Sequence, residues 1–103
     1  MDLKNMMKQV QNIQEKINSM QGELAEKTVE ASSGGGMVTV TANGKQEIIA
    51  INIAPEIISA DDIPMMQDLI TAAVNTALKS SKAMMQEELS KITGGLKIPG
   101  INM

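Results

Sequence analysis

The chain has 103 residues, with 9 cationic side chains against 12 acidic ones and a formal net charge of −3. That length fits one domain, and a domain of this size buries only about 65% of the surface its unfolded chain exposes, so a partner subunit would add materially to its stability. Cysteine, histidine and aromatic residues are all absent. This composition excludes disulfides, thiolate and imidazole metal sites, cysteine nucleophiles, the usual general base and any ring that could stack on a base or cofactor. All nine cations are lysine, so there is no guanidinium fork for a phosphate or a guanine edge. No enzyme activity, cofactor, metal or small-molecule substrate is expected.

The opening residues Met1-Asp2-Leu3-Lys4-Asn5 lack the apolar core of a signal peptide. No apolar run approaches the roughly 20 residues of a membrane span. The expectation is a soluble cytoplasmic protein without a membrane partner. A sequence pI near 4.8 runs against a conventional basic DNA-binding domain.

The first element is a helix. Leu3, Met6, Val10, Ile13, Ile17, Met20 and Leu24 follow spacings of three and four without a break, the seam of a coiled coil or helical hairpin. The stripe is narrow and its flanks are Lys, Gln, Asn, Glu and Ser. A helix about 35 Å long with so thin an apolar seam needs another helix along its length.

From Glu26 to Pro55 the period changes to two. Val29 and Ala31 alternate with polar neighbours, and Ser32-Ser33-Gly34-Gly35-Gly36 reads as a turn. Val38, Val40 and Ala42 then alternate with threonines, and Asn43-Gly44 signals a two-residue type I′ hairpin. Ile49, Ile51 and Ile53 are expected on one face of the third strand. Ile48 and Ala50 make its other face partly apolar, the pattern of a strand covered on both sides. The glycines could cradle a phosphate, but they lie between two strands rather than between a strand and a helix, so the turn is preferred.

Asp61-Asp62 before Pro64 suits the start of a second helix, because carboxylates there complement the helix dipole. Met66, Leu69, Ile70, Ala73, Val74, Ala77 and Leu78 give it a broad face of small and apolar residues fit to lie on a sheet. The stripe narrows to Met84, Met85, Leu89 and Ile92, and Gly94-Gly95 stops the helix. At roughly 45 Å it outruns a three-stranded sheet, so its distal half should project.

The expected fold is therefore α+β: an α-β-β-β-α subunit with a three-stranded antiparallel sheet and two long helices. Residues 1–93 form one domain and 94–103 a flexible C-terminal tail. An intertwined homodimer would cover the helical seams.

The charge balance is zero over residues 1–25, −2 over 26–60, −2 over 61–92 and +1 in the tail. Lysines are segregated from acids within the helices. Lys4 and Lys8 stand four apart with no acid between Asp2 and Glu15, and Lys79 and Lys82 three apart with none between Asp68 and Glu87. With Lys16, these are the candidate contacts for DNA phosphates, and Asn5, Gln9, Gln11, Asn12 and Gln14 offer amides beside them. The residues alone read first as solvated helix faces and second as such contacts. The carboxylate pairs Asp61-Asp62 and Glu87-Glu88 read as a helix start and a solvated face, without a metal.

Several segments together resemble one family. Met6-Met7-Lys8-Gln9-Val10-Gln11 and Gln14-Glu15-Lys16 are similar to the opening helix of the YbaB/EbfC family of bacterial nucleoid-associated proteins. The resemblance continues through Ser33-Gly34-Gly35-Gly36-Met37-Val38-Thr39-Val40-Thr41, Asn43-Gly44 and Ile51-Asn52-Ile53-Ala54-Pro55. Asp68 to Ala77, Thr93-Gly94-Gly95-Leu96 and Pro99-Gly100 extend it over nearly the whole chain in the right order. It implies a tweezer-like homodimer that binds double-stranded DNA in the nucleoid, alters its conformation and influences gene expression. An alternative from the residues is a scaffold or holdase whose paired arms hold other proteins through Met6, Met7, Met84 and Met85.

Overall fold

The computed structural model describes residues 2–92; the expected helix stop at Gly94-Gly95 and the tail 94–103 lie outside them. The chain runs α1 (Leu3–Glu26), β1 (Thr28–Ser33), β2 (Val38–Asn43), β3 (Ile48–Ile53) and α2 (Ile63–Ile92). The three strands form one antiparallel sheet in the order β1-β2-β3. This is the expected α-β-β-β-α order. Both helices outrun the sheet, and the molecule is elongated, 68 × 25 × 16 Å.

The core lies between the sheet and the first half of α2. Val38, Val40 and Ala42 of β2 point toward α2 and are fully buried against Ala73 and Ala77, with Ala31 and Ile57 completing the cluster. Small alanines on α2 let the helix approach the strands closely, and the larger Leu69, Ile70 and Val74 flank them. Gly34, Gly35 and Gly36 carry the β1–β2 connection through three successive positive φ angles of 61°, 67° and 95°, a conformation that side chains disfavour. Gly34 also passes so close to Leu69 that a Cβ would lie 3.0 Å from its methyls. Ser33 Oγ donates to the Leu69 carbonyl at 2.6 Å, fastening this turn to α2.

Two local expectations are corrected. Asn43-Gly44 is not a type I′ turn: the β2–β3 loop spans four residues, Gly44 to Glu47, and Gln46 rather than Gly44 has positive φ. The Asn43 side chain closes this loop, with Oδ1 accepting from the N–H groups of Lys45 and Glu47 and Nδ2 donating to Glu47 Oε1. The second correction concerns the faces of β3. An irregularity between Thr41 and Ala42 pairs Ala42 with Ile48 and Thr41 with Ala50, leaving Ile49 as the extra residue of a bulge. The row beside Ala42, Val40 and Val38 is thus Ile48, Ile51 and Ile53, because directly paired residues share a face. β3 is also an edge strand, exposed from Ile48 to Asn52, rather than one covered on both sides. α2 lies over β1 and β2.

Candidate nucleic-acid interface

The helical arms are built outward from one docking point. Gly44 N–H donates to the carbonyls of both Leu24 (2.8 Å) and Lys27 (3.0 Å), capping the end of α1 with the hairpin loop. A Cβ on Gly44 would stand 2.6 Å from Leu24 Cδ2, so glycine is needed here for close approach rather than for turn geometry. Ser81 of α2 is wholly buried at the same junction. Its Oγ donates to the Asn43 carbonyl at 2.6 Å and accepts from Gln46 N–H at 2.9 Å. One loop therefore anchors both helices.

Farther out, Glu88 Oε1 of α2 accepts from Lys27 Nζ at 3.2 Å and from Lys91 Nζ at 3.3 Å. These two lysines, Lys27 foremost, hold the Glu88 carboxyl below its ordinary pKa. Beyond this clasp the helices run antiparallel along a groove of about 530 Å³, with Met20 and Ile92 among its lining residues. α1 continues past Ile92, the last described residue of α2, to its start at Asp2, whose Oδ1 accepts from Lys4 N–H at 3.2 Å.

This geometry sorts the lysines. Lys4, Lys8, Lys16, Lys79 and Lys82 are all exposed, and among the described residues the ion pairs involve only Lys27 and Lys91. Lys4 and Lys8 project from the side of α1 turned away from the seam. Lys79 and Lys82 project from the outer side of α2, away from buried Ala73, Ala77 and Ser81. Lys16 differs, because it lines the interhelical groove together with Glu15, Glu23 and Glu88. Counted along α1 from the junction where Leu24 and Ser81 meet the same loop, Lys8 and Lys82 are roughly 25 Å apart. One chain does not bring the two lysine pairs together. Nor does it bring Met6-Met7, exposed at the tip, to Met84-Met85, half-buried near the junction.

The seam is likewise divided. Met20 and Leu24 are buried and Ile17 is half-buried, whereas Leu3, Met6, Val10 and Ile13 are exposed. Glu47 lies in the β2–β3 loop at the helix junction, whereas Glu56, Asp61, Asp62 and Asp68 gather beyond the far end of β3, with no lysine between Lys45 and Lys79. Asp62 there accepts from Ser59 Oγ at 3.1 Å as part of the turn leading into α2. The Lys27–Glu88 clasp and the Gly44–Leu24 approach had no separate signal in the sequence, since each joins residues distant along the chain. Among the described residues no helix is long and apolar enough to cross a membrane.

The sequence profile of the YbaB/EbfC DNA-binding family matches residues 1–96. The nucleoid-associated protein TTE0040 of Caldanaerobacter subterraneus subsp. tengcongensis is 51% identical over 100 residues, covering 97% of this chain and 90% of its own length. The nucleoid-associated protein NT01CX_0824 of Clostridium novyi is 52% identical over 101 residues, covering 98% and 89%. In fold, the chain is similar to the crystal structure of the uncharacterized protein HP0035 from Helicobacter pylori, with a TM-score of 0.84 over 91% of this chain and 99% of that one, at 21% identity. Matched along almost its full length by the family profile and by relatives at half identity, the chain belongs to the YbaB/EbfC DNA-binding family of nucleoid-associated proteins.

Proposed function

We propose that the protein acts in the nucleoid of the cytoplasm as a homodimer that grips duplex DNA through Lys4, Lys8, Lys16, Lys79 and Lys82 on its helical arms. In doing so it alters DNA conformation, nucleoid organisation and gene expression. The observation that carries this reading is membership of a DNA-binding family in a chain whose candidate lysines stand exposed on the helices and, among the described residues, form no ion pair. Lys4 and Lys8 at the tip and Lys79 and Lys82 near the sheet form two contact zones per subunit, and a two-fold axis doubles them. The acids from Glu56 to Asp68 repel phosphate from the far end of the sheet, which directs DNA to the arms despite the net charge of −3. Lys16, set among three glutamates, contributes least.

Dimerisation through the β3 side fits the same picture. Ile48, Ile49 and Ile51 are exposed along the open edge of the sheet, an apolar surface of the kind that marks a subunit contact. That placement leaves the arms free.

Lysine contacts to phosphate fix position without reading sequence, so binding is sequence-tolerant and falls steeply with salt. If ~4 phosphates are neutralised per dimer, log K falls against log salt with a slope near −3.6. The test is a fluorescence-anisotropy titration of duplex DNA across salt concentrations, repeated with Lys4→Glu/Lys8→Glu and Lys79→Glu/Lys82→Glu. The reading predicts salt-dependent binding that is lost in both variants while their circular dichroism is unchanged. Salt-independent binding, or full affinity in both folded variants, would contradict it.

A further inference from the structure

The inner end of α1 is joined to the sheet by one residue, Lys27, which stands between Glu26 and Thr28, and Met20 and Leu24 are the buried residues of this helix. Leu24 sits beneath Gly44, whose N–H holds the Leu24 and Lys27 carbonyls. That contact pins one point of α1 and leaves its tilt open. The apolar contact farther out does not set the tilt, because burial is non-directional. The side chains available there are also adaptable: buried Met20 on α1, and half-buried Met84 and Met85 on α2 between Ser81 and Glu88.

The directional contact is the clasp. Lys91 and Lys27 both donate to Glu88 Oε1, at 3.3 and 3.2 Å. Lys91 lies one turn along α2 and holds the carboxylate from its own helix, while Lys27 brings the end of α1 to it. The Glu88 side chain is 17% exposed against 48% for Lys27, so the bridging group sits within the joint rather than at its rim.

We infer that Glu88 is a positioning residue: through Lys27 it fixes the tilt of α1 against α2, and with it the spacing between the Lys4-Lys8 and Lys79-Lys82 zones. The consequence for DNA rests on the proposed function; the positioning itself does not. Lys8 lies about 24 Å of helix beyond Leu24, so a tilt of about 15° at that point displaces it by about 6 Å. Successive phosphates of one strand are roughly 3.4 Å apart along the DNA axis. An ion pair of this kind adds little to global stability, so its effect falls on where the lysines stand rather than on whether the chain folds.

The chain has no cysteine, so nitroxide labels can be placed on Gln11→Cys and Asn75→Cys, both exposed and roughly 30 Å apart along the helices. Double electron–electron resonance is recorded on labelled protein diluted with unlabelled protein, so that distances within one chain are read. The expected result is a narrow distance distribution in the parent, a broader one in Glu88→Gln, and a narrow one again in the charge-reversed set Lys27→Glu/Glu88→Lys/Lys91→Glu. An unchanged distribution in Glu88→Gln, or broadening that the reversed set leaves in place, would overturn the proposal. Anisotropy titration of the unlabelled parent and Glu88→Gln with one duplex at low salt reads the consequence for DNA. Charge alone predicts tighter binding by Glu88→Gln, since a carboxylate is lost and two lysines are released; positioning predicts binding several-fold weaker, since the two zones are no longer pre-arranged. Equal or tighter binding would overturn the link to DNA. Failure of the parent to bind DNA would sink the proposed function instead, and the distance measurement would still decide the role of Glu88.

Discussion

The two ends of α1 share one sequence pattern and have opposite environments. Leu24, near the sheet, is 1% exposed beneath Gly44, while Val10, two heptads earlier in the same stripe, is 66% exposed. Nothing in the spacing of three and four distinguishes them. A heptad stripe states that a helix face needs a partner; which partner covers each turn depends on where the neighbouring elements end. Here α2 and the β2–β3 loop cover the inner turns.

Substitution at the two ends should separate them most strongly. Leu24→Ala removes a buried side chain at the docking point and should cost about 3 kcal/mol. Val10→Ala should leave global unfolding within about 0.5 kcal/mol of the parent, because opening of the tip is local. Urea titrations of both variants check this, and equal losses would dissolve the distinction. Gly44→Ala tests the same junction from the loop side. The added methyl has no space beneath Leu24 and should cost roughly 2 kcal/mol by overpacking, accompanied by faster amide exchange at residues 20–27.

Ile51→Lys probes the open side of the sheet. It should shift the protein from dimer to monomer in sedimentation velocity while leaving the monomer folded, since Ile51 lies outside the buried core. A dimer of undiminished strength would place the subunit contact elsewhere.

The smallest effect belongs to the clasp. Glu88 has a folded-state pKa below its unfolded value because it is paired with Lys27 and Lys91, so the stabilisation it supplies is present above the ordinary glutamate range and disappears as pH falls through the lowered value. Protection factors for amides in the outer turns of α2, after correction for the intrinsic exchange rate at each pH, should therefore fall in acid. Glu88→Gln should show weaker protection at neutral pH and lose the part of the pH response that comes from this group.

Much of the fold was legible because the hydrophobic period changes cleanly from seven to two and back. Both helices and all three strands follow from that change, and Asp61-Asp62 before Pro64 mark the start of the second helix. What was not legible depends on contacts between distant residues. The bulge at Ile49 reverses the phase of the first part of β3, so alternation alone assigned Ile49 to a row that Ile48 occupies. Asn43-Gly44 was visible as a turn, yet its glycine serves Leu24, twenty residues earlier in the path of α1. Among the candidate lysines, the segregation of charge identified Lys4, Lys8, Lys79 and Lys82 as exposed. The glutamates around Lys16 became apparent only once α2 was laid beside α1.

The central claim is that DNA meets the exposed lysines of the arms and not the β2–β3 loop at their junction. Lysine acetylation footprinting with and without duplex DNA, at low salt and with quantification at each residue, tests it directly. The account predicts protection of Lys4, Lys8, Lys79 and Lys82, with little change at Lys45 in the β2–β3 loop. Protection centred on Lys45, with the arm lysines unchanged, would contradict it.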